Sequence, residues 1–446
     1  MSLRLAVDFT GSINLVATLT KYLSLATLVP AAVAVGYGES PWPFLAAGAI
    51  VGGISLAVEL LTRGEHRIGS REGFFIVSFT WLAAAALGAL PYILSGEPEL
   101  NRPVDAYFEA MSGFTTTGAS VITDIEAVSH SILLWRQFTQ WLGGIGIIVL
   151  ALAVLPRLRV GGRQLLEHEM PGPEIESLST RIRDTARRVW FLYVTLTAIL
   201  VTVLIAFGLT GVDDRMTVFD AFAHALTTMP TGGFGVDATS LAEFGAATQW
   251  TIALFMMLAG ANFALLYRAL VRRQPKAFAL DEEFRLYIGL VALASIVVGA
   301  EVWSEGIASG EAAVRHAVFQ TVSMMTTTGF ATADFALWPA LTAMTLIGLM
   351  FVGGSAGSTS GSVKVVRHLL LGKVLRREID QTLHPELVAP VRLNRSVMDE
   401  RTLRAVMSFI LLYIGIFIVG VLLLAADAAR VGLGRSVREA IAAAAP

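Results

Sequence analysis

VDAYFEAMSGFTTTGAS, residues 104–120, is the stretch whose reading settles the architecture. It is a short amphipathic segment that ends in Thr115, Thr116, Thr117 and Gly118. The pattern returns as FDAFAHALTTMPTGGFG at 219–235 and again as RHAVFQTVSMMTTTGFA at 315–331. A helix of about eleven residues cannot cross roughly 30 Å of hydrocarbon, but it can enter halfway and return. Non-helical backbone at that depth is tolerated only where protein buries it or where it lines a watery cavity. One Thr-Thr-Gly is no more than a turn. Three copies, each behind a short helix and between two spans on the same side, read as a pore.

The flanking sequence supplies those spans. With 55% hydrophobic and 15% charged residues among 446, the chain is too apolar to be dissolved in water. Long apolar runs lie near 13–36, 43–62, 73–95, 132–156, 188–210, 248–271, 284–304, 339–371 and 403–427. Arginine and lysine are sorted between these nine runs. They gather at Arg63 to Arg71, Arg157 to Arg188, Arg268 to Arg285 and Lys364 to Arg404, while the alternate connections are acidic. The positive-inside rule then places the basic connections and the N-terminus in the cytoplasm. Arg4 precedes an apolar stretch with no cleavage site after it, so the sequence reads as mature. A net charge of -2 gives no sign of a nucleic-acid partner, and the absence of cysteine excludes disulfides and thiolate chemistry.

Selecting a dehydrated cation takes oxygens at fixed distances, and main-chain carbonyls of small residues can supply them where several strands crowd one axis. Glycine reaches backbone angles that let successive carbonyls turn the same way. Threonine hydroxyls can add an oxygen or brace the loop. The short helix before each loop would aim its partly negative end at the ion.

Several longer motifs accompany the loops: REGFFIV at 71–77, SGFTTTGASVITD at 112–124, RQFTQWLGGIGIIVLALAVLP at 136–156, EMPGP at 169–173, MTTTGFATADF at 325–335 and GGSAGSTSGSVKVVR at 353–367. With these the chain resembles, over nearly its whole length, the TrkH/KtrB superfamily of potassium transporters, and most closely its TrkH branch. The resemblance implies an all-α integral membrane fold, with pseudo-fourfold repeats of span, re-entrant pore loop and span behind a two-span leading domain. The expected divisions are 1–70 for the leading domain, 71–160, 161–275 and 276–380 for three pore units, and 381–446 for a partial fourth. It also implies potassium-binding filter carbonyls at Thr116, Thr117 and Gly118, at Pro230, Thr231 and Gly232, and at Thr327, Thr328 and Gly329, with potassium as substrate and no covalent cofactor. Glycine at 118 goes with potassium in this superfamily, and serine with sodium. The second loop departs from its sisters. Pro230 takes the place of a threonine, removing a hydroxyl, and should push Met229 away from helical angles.

The eighth apolar run is interrupted by Gly353, Gly354, Gly357, Ser358 and Gly361 ahead of Lys364. Each glycine costs a helix about 1 kcal/mol relative to alanine. A plain kink is one reading, and the resemblance implies another, a gating loop beneath the filter. The basic connections 157–188 and 372–402 are either solvated loops near lipid headgroups or, as the resemblance implies, docking surfaces for a cytosolic nucleotide-binding ring like TrkA, on a homodimer in the inner membrane.

Enzyme motifs fail. Lys364 lacks the neighbours of a phosphate loop, Glu167, His168 and Glu169 lack a second zinc histidine, and His224 and His316 lack metal-like partners. Almost no ionisable groups converge within the spans, as an enzyme would need. Gly143, Gly144 and Gly146 read as close helix approach, and Asn262 as an interhelical hydrogen bond. GRSVREAIAAAAP at 434–446 matches the start of a fourth pore helix whose glycine would fall beyond Pro446, so the sequence is expected to be a fragment or a truncated form. A sodium or other monovalent cation pore, a membrane enzyme and a non-conducting truncated protein stay as alternatives to potassium uptake.

Overall fold

The computed structural model describes residues 8–64, 69–154 and 178–431. EMPGP, the connection 157–177 and the start of the fourth pore helix lie outside them. By contact the chain divides into two compact units, Met1–Thr248 and Gln249–Pro446, described in turn.

In the first unit, α1 (Phe9–Leu23) passes through a tight turn into α2 (Leu28–Gly36), and α3 (Trp42–Leu61) returns beside it. Polar ties knit α1 to α3 within their apolar surface: Asn14 Nδ2 donates to the Glu59 carbonyl and to Thr62 Oγ1, both at 2.9 Å, and Thr20 meets Ser55 at 2.9 Å. α4 (Ser70–Ser95) ends at Gly96, whose φ of 76° is the left-handed stop that glycine allows without penalty. α5 (Pro103–Phe114) begins on a proline, whose missing N–H costs nothing in a first turn. α6 (His130–Val154) and α7 (Leu178–Thr210) follow, and then α8 (Val218–Thr228), which starts with a reciprocal cap between Thr217 and Asp220. α4 packs on α5, α5 on α6, and α6 on both α7 and α8. Phe44, Tyr92, Ala106, Ala110 and Trp135 form the core that holds the first short helix in place.

α9 (Ala246–Ala259) leads into the second unit, where α10 (Phe263–Leu266) continues as a π turn to Val271. The two directions differ by 104°, so the sixth run, expected as one span at 248–271, is a pair of helices bent at a short break. The cause is Asn262. Its Oδ1 caps the new helix, accepting from Ala264 N at 2.9 Å and Leu265 N at 3.0 Å, so it is not the interhelical bond read from the sequence. After α11 (Lys276–Leu280) come α12 (Glu282–Ser304), started by the Asp281 cap, the third short helix α13 (Gly310–Met325), α14 (Ala340–Val352) and α15 (Val365–Leu383). A two-residue hairpin, β1 (Arg392–Leu393) with β2 (Ser396–Val397), precedes α16 (Glu400–Val431). α12 packs on α13, α14 and α15, and α15 packs on α16 through Val366, Leu370, Val374, Leu403 and Val406.

Candidate functional site: three re-entrant loops and a broken span

The short helices α5, α8 and α13 have 12, 11 and 16 residues, and each runs into a loop of the same backbone shape. Thr116, Thr231 and Thr327 take φ of 56°, 55° and 57°, and two residues later Gly118, Gly233 and Gly329 take 76°, 78° and 84°. A β-branched residue at positive φ is a genuine outlier, costing on the order of 1–2 kcal/mol. Three threonines held there at equivalent places are stored strain of the kind found at functional sites. The amide pattern is shared as well. Thr117 N donates to Ser112 O at 2.9 Å, Gly232 N to Thr227 O at 2.9 Å, and Thr328 N to Ser323 O at 2.9 Å.

This geometry sets the register of the second loop one residue later than the sequence suggested. Pro230 matches Thr115 and Thr326, Gly232 matches Thr117 and Thr328, and Gly233 is the left-handed glycine. The spacing held the signal: Gly118 and Gly329 lie thirteen residues after Asp105 and His316, and thirteen after Asp220 is Gly233. Met229 is also not displaced. It stays helical at φ -66°, ψ -36°, because it is fully buried and its N–H still bonds Ala225 O at 3.3 Å. The proline forgoes the backbone and hydroxyl bonds that Thr115 and Thr326 make to Met111 O and Val322 O.

In the first and third loops the hydroxyls on either side of the strained threonine pair with each other, Thr115 with Thr117 and Thr326 with Thr328, each at 2.8 Å. Pro230 and Gly232 have no hydroxyls, and α6 supplies the brace instead. Gln140 Nε2 donates to the Gly232 carbonyl at 2.7 Å, and Gln140 Oε1 accepts from Phe234 N at 3.2 Å. The first loop lies directly against this point, since a Cβ on Gly118 would come within 2.2 Å of Gly232 O. Gly143 and Gly144 let α6 approach equally closely: a Cβ on the former would lie 2.0 Å from Phe114 O, and on the latter 2.6 Å from Pro230 Cβ.

One turn before Gln140, Arg136 is buried against Glu109 of α5, with Nε 2.5 Å from Oε1. Glu109 also accepts from Ser120 Oγ and Val121 N at 3.0 Å each, and Arg136 donates to Gly235 O at 3.2 Å while lying 3.9 Å over the Phe234 ring. The pair thus ties the strand leaving the first loop to the strand leaving the second. Sequence reasoning missed it, having found almost no converging ionisable groups in the spans. Arg136 and Gln140, one turn apart in an apolar run, were the available signal. Nine residues before each left-handed glycine stand Glu109, His224 and Gln320, all fully buried, so the repeats keep the position and change the side chain.

In the second unit, the interrupted eighth stretch runs as backbone loop from Gly353 to Lys364, between α14 and α15. A broken helix leaves orphan carbonyls and amides, and inside a membrane these must be met by protein. The two breaks meet each other's needs. Ser355 N donates to Gly260 O at 2.8 Å, Thr359 N to Ala259 O at 3.4 Å, and Phe263 N to Gly357 O at 3.1 Å. Gly354 and Gly357 allow the approach, since a Cβ on Gly354 would lie 2.7 Å from Gly260 O and one on Gly357 would lie 3.3 Å from the Asn262 side chain. Lys364 Nζ bonds the Ser360 carbonyl, and Ser358 Oγ donates to Ser355 O at 2.6 Å. Gly361 N donates to Thr327 Oγ1 at 2.7 Å, so this loop touches the strained threonine of the third pore loop. His316 bonds Thr332 at 2.8 Å, and no cluster of three metal-ligating groups occurs among the described residues.

Apolar spans, three strained re-entrant loops and a pair of mutually satisfied broken helices define a polytopic membrane protein of the pore-loop class. The chain belongs to the TrkH family, described as "Cation transport protein", which it matches over residues 45–429. The Trk system potassium uptake protein TrkH of Escherichia coli (strain K12) is 40% identical over 363 residues, covering 81% of this chain and 73% of that protein. The protein of the same description from Halomonas elongata is 35% identical over 434 residues, covering 96% and 87%. The crystal structure of the potassium transporter TrkH from Vibrio parahaemolyticus superposes with a TM-score of 0.83 at 33% identity, covering 94% of this chain and 86% of that one. The family is one of transporters, and the enzyme alternative falls away.

Proposed function

We propose that this protein takes up potassium across the inner membrane by passing the dehydrated ion along main-chain carbonyls of its re-entrant loops. The observation that carries the reading is the recurrence of left-handed threonine followed by left-handed glycine in all three loops. The names of the relatives, potassium uptake proteins, support the choice of ion. The filter oxygens belong to Thr116, Thr117 and Gly118, to Thr231, Gly232 and Gly233, and to Thr327, Thr328 and Gly329. Pro230 closes the turn ahead of the second set. Residues 353–362 with Lys364 form the gate, a reading supported by the contact between Gly361 and Thr327. The units divide as 1–70, 71–160, 161–275, 276–380 and 381–446. The N-terminus lies inside, two copies form a homodimer, and a cytosolic nucleotide-binding ring engages 372–402, where Arg376 is largely exposed.

Rubidium flux into proteoliposomes, measured in competition with sodium and ammonium, tests the reading. Wild-type protein should prefer rubidium over sodium. Gly118→Ser, whose added side chain would be directed at Gly232 O, should reduce that preference by about tenfold or more, equivalent to ~1.4 kcal/mol. An unchanged preference in this variant removes Gly118 from the filter.

A further inference from the structure

The N-cap and first turn of α12 carry three acidic residues in sequence, Asp281, Glu282 and Glu283, and only the last is buried, at 7% exposure. A carboxylate in a first helical turn is favoured by the helix dipole and ordinarily stays in water. Glu283 instead turns its Oε1 to two amides of the loop region, Ala356 N at 2.6 Å and Val366 N at 3.2 Å. Those residues are ten positions apart. One oxygen therefore closes the neck of the segment between them, beside a neutral bond from Val365 N to Gly354 O at 3.0 Å. The far end of the same segment is Gly361, bonded to Thr327.

The ties of this loop to Ala259, Gly260, Phe263 and Thr327 join single groups, whereas one Glu283 oxygen accepts from Ala356 N and Val366 N together, so Glu283 clasps both sides of the neck at one point. Its neighbours extend the connection outward. Glu282 pairs with Lys373 of α15, its amide donates to Asn394 Oδ1 at 2.9 Å, and Asn394 Nδ2 donates to Asp281 Oδ2 at 2.9 Å. Asn394 sits in the turn of the β1–β2 hairpin. Three consecutive acidic residues thus join the loop neck, α15 and the hairpin.

We propose that Glu283 is the latch that holds the 353–364 loop against the third pore loop, and that Asp281 and Glu282 link this latch to the hairpin and α15. The inference rests on the reading of that loop as the gate. For the loop to swing away, Ala356 or Val366 must leave the carboxylate, and a pull on α15 or the hairpin acts on the same helix turn. Glu283 is a positioning residue; it does not line the ion path.

Two measurements on reconstituted protein test this: rubidium flux, and the rate at which a membrane-impermeant maleimide modifies Ser360→Cys in this cysteine-free chain. Glu283→Ala should raise basal flux roughly ten- to a hundredfold and speed modification of Cys at 360 by a similar factor, while the rubidium-to-sodium ratio stays at the wild-type value. Glu283→Gln keeps an oxygen in place but loses its charge, so a rise of several-fold is expected; it serves as the deciding variant if Glu283→Ala does not fold. Wild-type flux and wild-type modification rate in folded variants overturn the latch. If modification of Ser360→Cys changes flux but the Glu283 variants do not, the latch fails and the gate stands. If that modification leaves flux unaltered, the gate fails, and the latch with it.

Discussion

The first two pore loops and the third share one backbone shape but are held by different means. In the first unit the support comes from α6, a helix that places Arg136, Gln140, Gly143 and Gly144 against both loops at once. In the second unit the third loop keeps the hydroxyl pair of the first, Thr326 with Thr328, and its strained Thr327 bonds a segment that is itself a break in a helix. The contrast teaches that the first two loops rest on a continuous helix, whereas the third is bonded to a segment that interrupts one. Strain at Thr116, Thr231 and Thr327 is common to all three; what differs is the element that restrains it.

The sharpest way to break the rigid side is to strand Glu109. Arg136→Leu leaves a fully buried carboxylate without its cation, and such a loss costs ~3–5 kcal/mol. Little folded protein should survive, with a clearly lowered melting temperature in detergent. Replacing both partners, Glu109→Leu with Arg136→Leu, should recover much of the loss, because a buried ion pair and an apolar pair are often nearly equivalent. No such recovery would mean that the bonds to Ser120, Val121 and Gly235 matter more than the charge pairing.

Gln140→Leu is the next largest. It removes the acceptor for Phe234 N and the donor to Gly232 O, and each buried backbone group so abandoned costs ~1–3 kcal/mol. Since Gly232 belongs to the proposed filter, rubidium-over-sodium preference should fall more than melting temperature does. A fall in stability with the preference intact would make Gln140 a packing residue only.

How legible this was depended on whether the deciding partner was near in sequence. The unbroken spans and the three short helices could be read directly, because segment length and hydropathy are local quantities. The second loop could not be registered from Gly232-Gly233 by inspection, since either glycine satisfies the motif; only the spacing from Asp220 separates them. Asn262 looked like a polar residue seeking a neighbouring helix because the group that makes a break tolerable there, the backbone at Ser355 to Thr359, lies almost a hundred residues away. Glu283 lies just before the apolar run at 284–304, and its partners Ala356 and Val366 are more than seventy residues further on, so nothing local marks it. Register itself can be checked by rescue. Gly232→Ala would place Cβ 2.4 Å from Gln140 Cδ, whereas Gly233→Ala forces a side chain into left-handed backbone, at roughly 1–2 kcal/mol. Adding Gln140→Ala should therefore relieve the first variant and not the second, as read by melting temperature.

The smallest effect bears on the coupled side. Thr327→Val removes the hydroxyl that accepts from Gly361 N and donates to Thr326 O, a loss of about 0.5–1.5 kcal/mol per bond. If the proposed gate is right, the Gly361 bond to Thr327 belongs to its closed arrangement, and removing it should raise basal rubidium flux several-fold while melting temperature changes little. Thr327→Ser keeps the oxygen and should restore the wild-type flux. If valine and serine behave alike, the hydroxyl carries no coupling, and the third loop is held no differently from the other two.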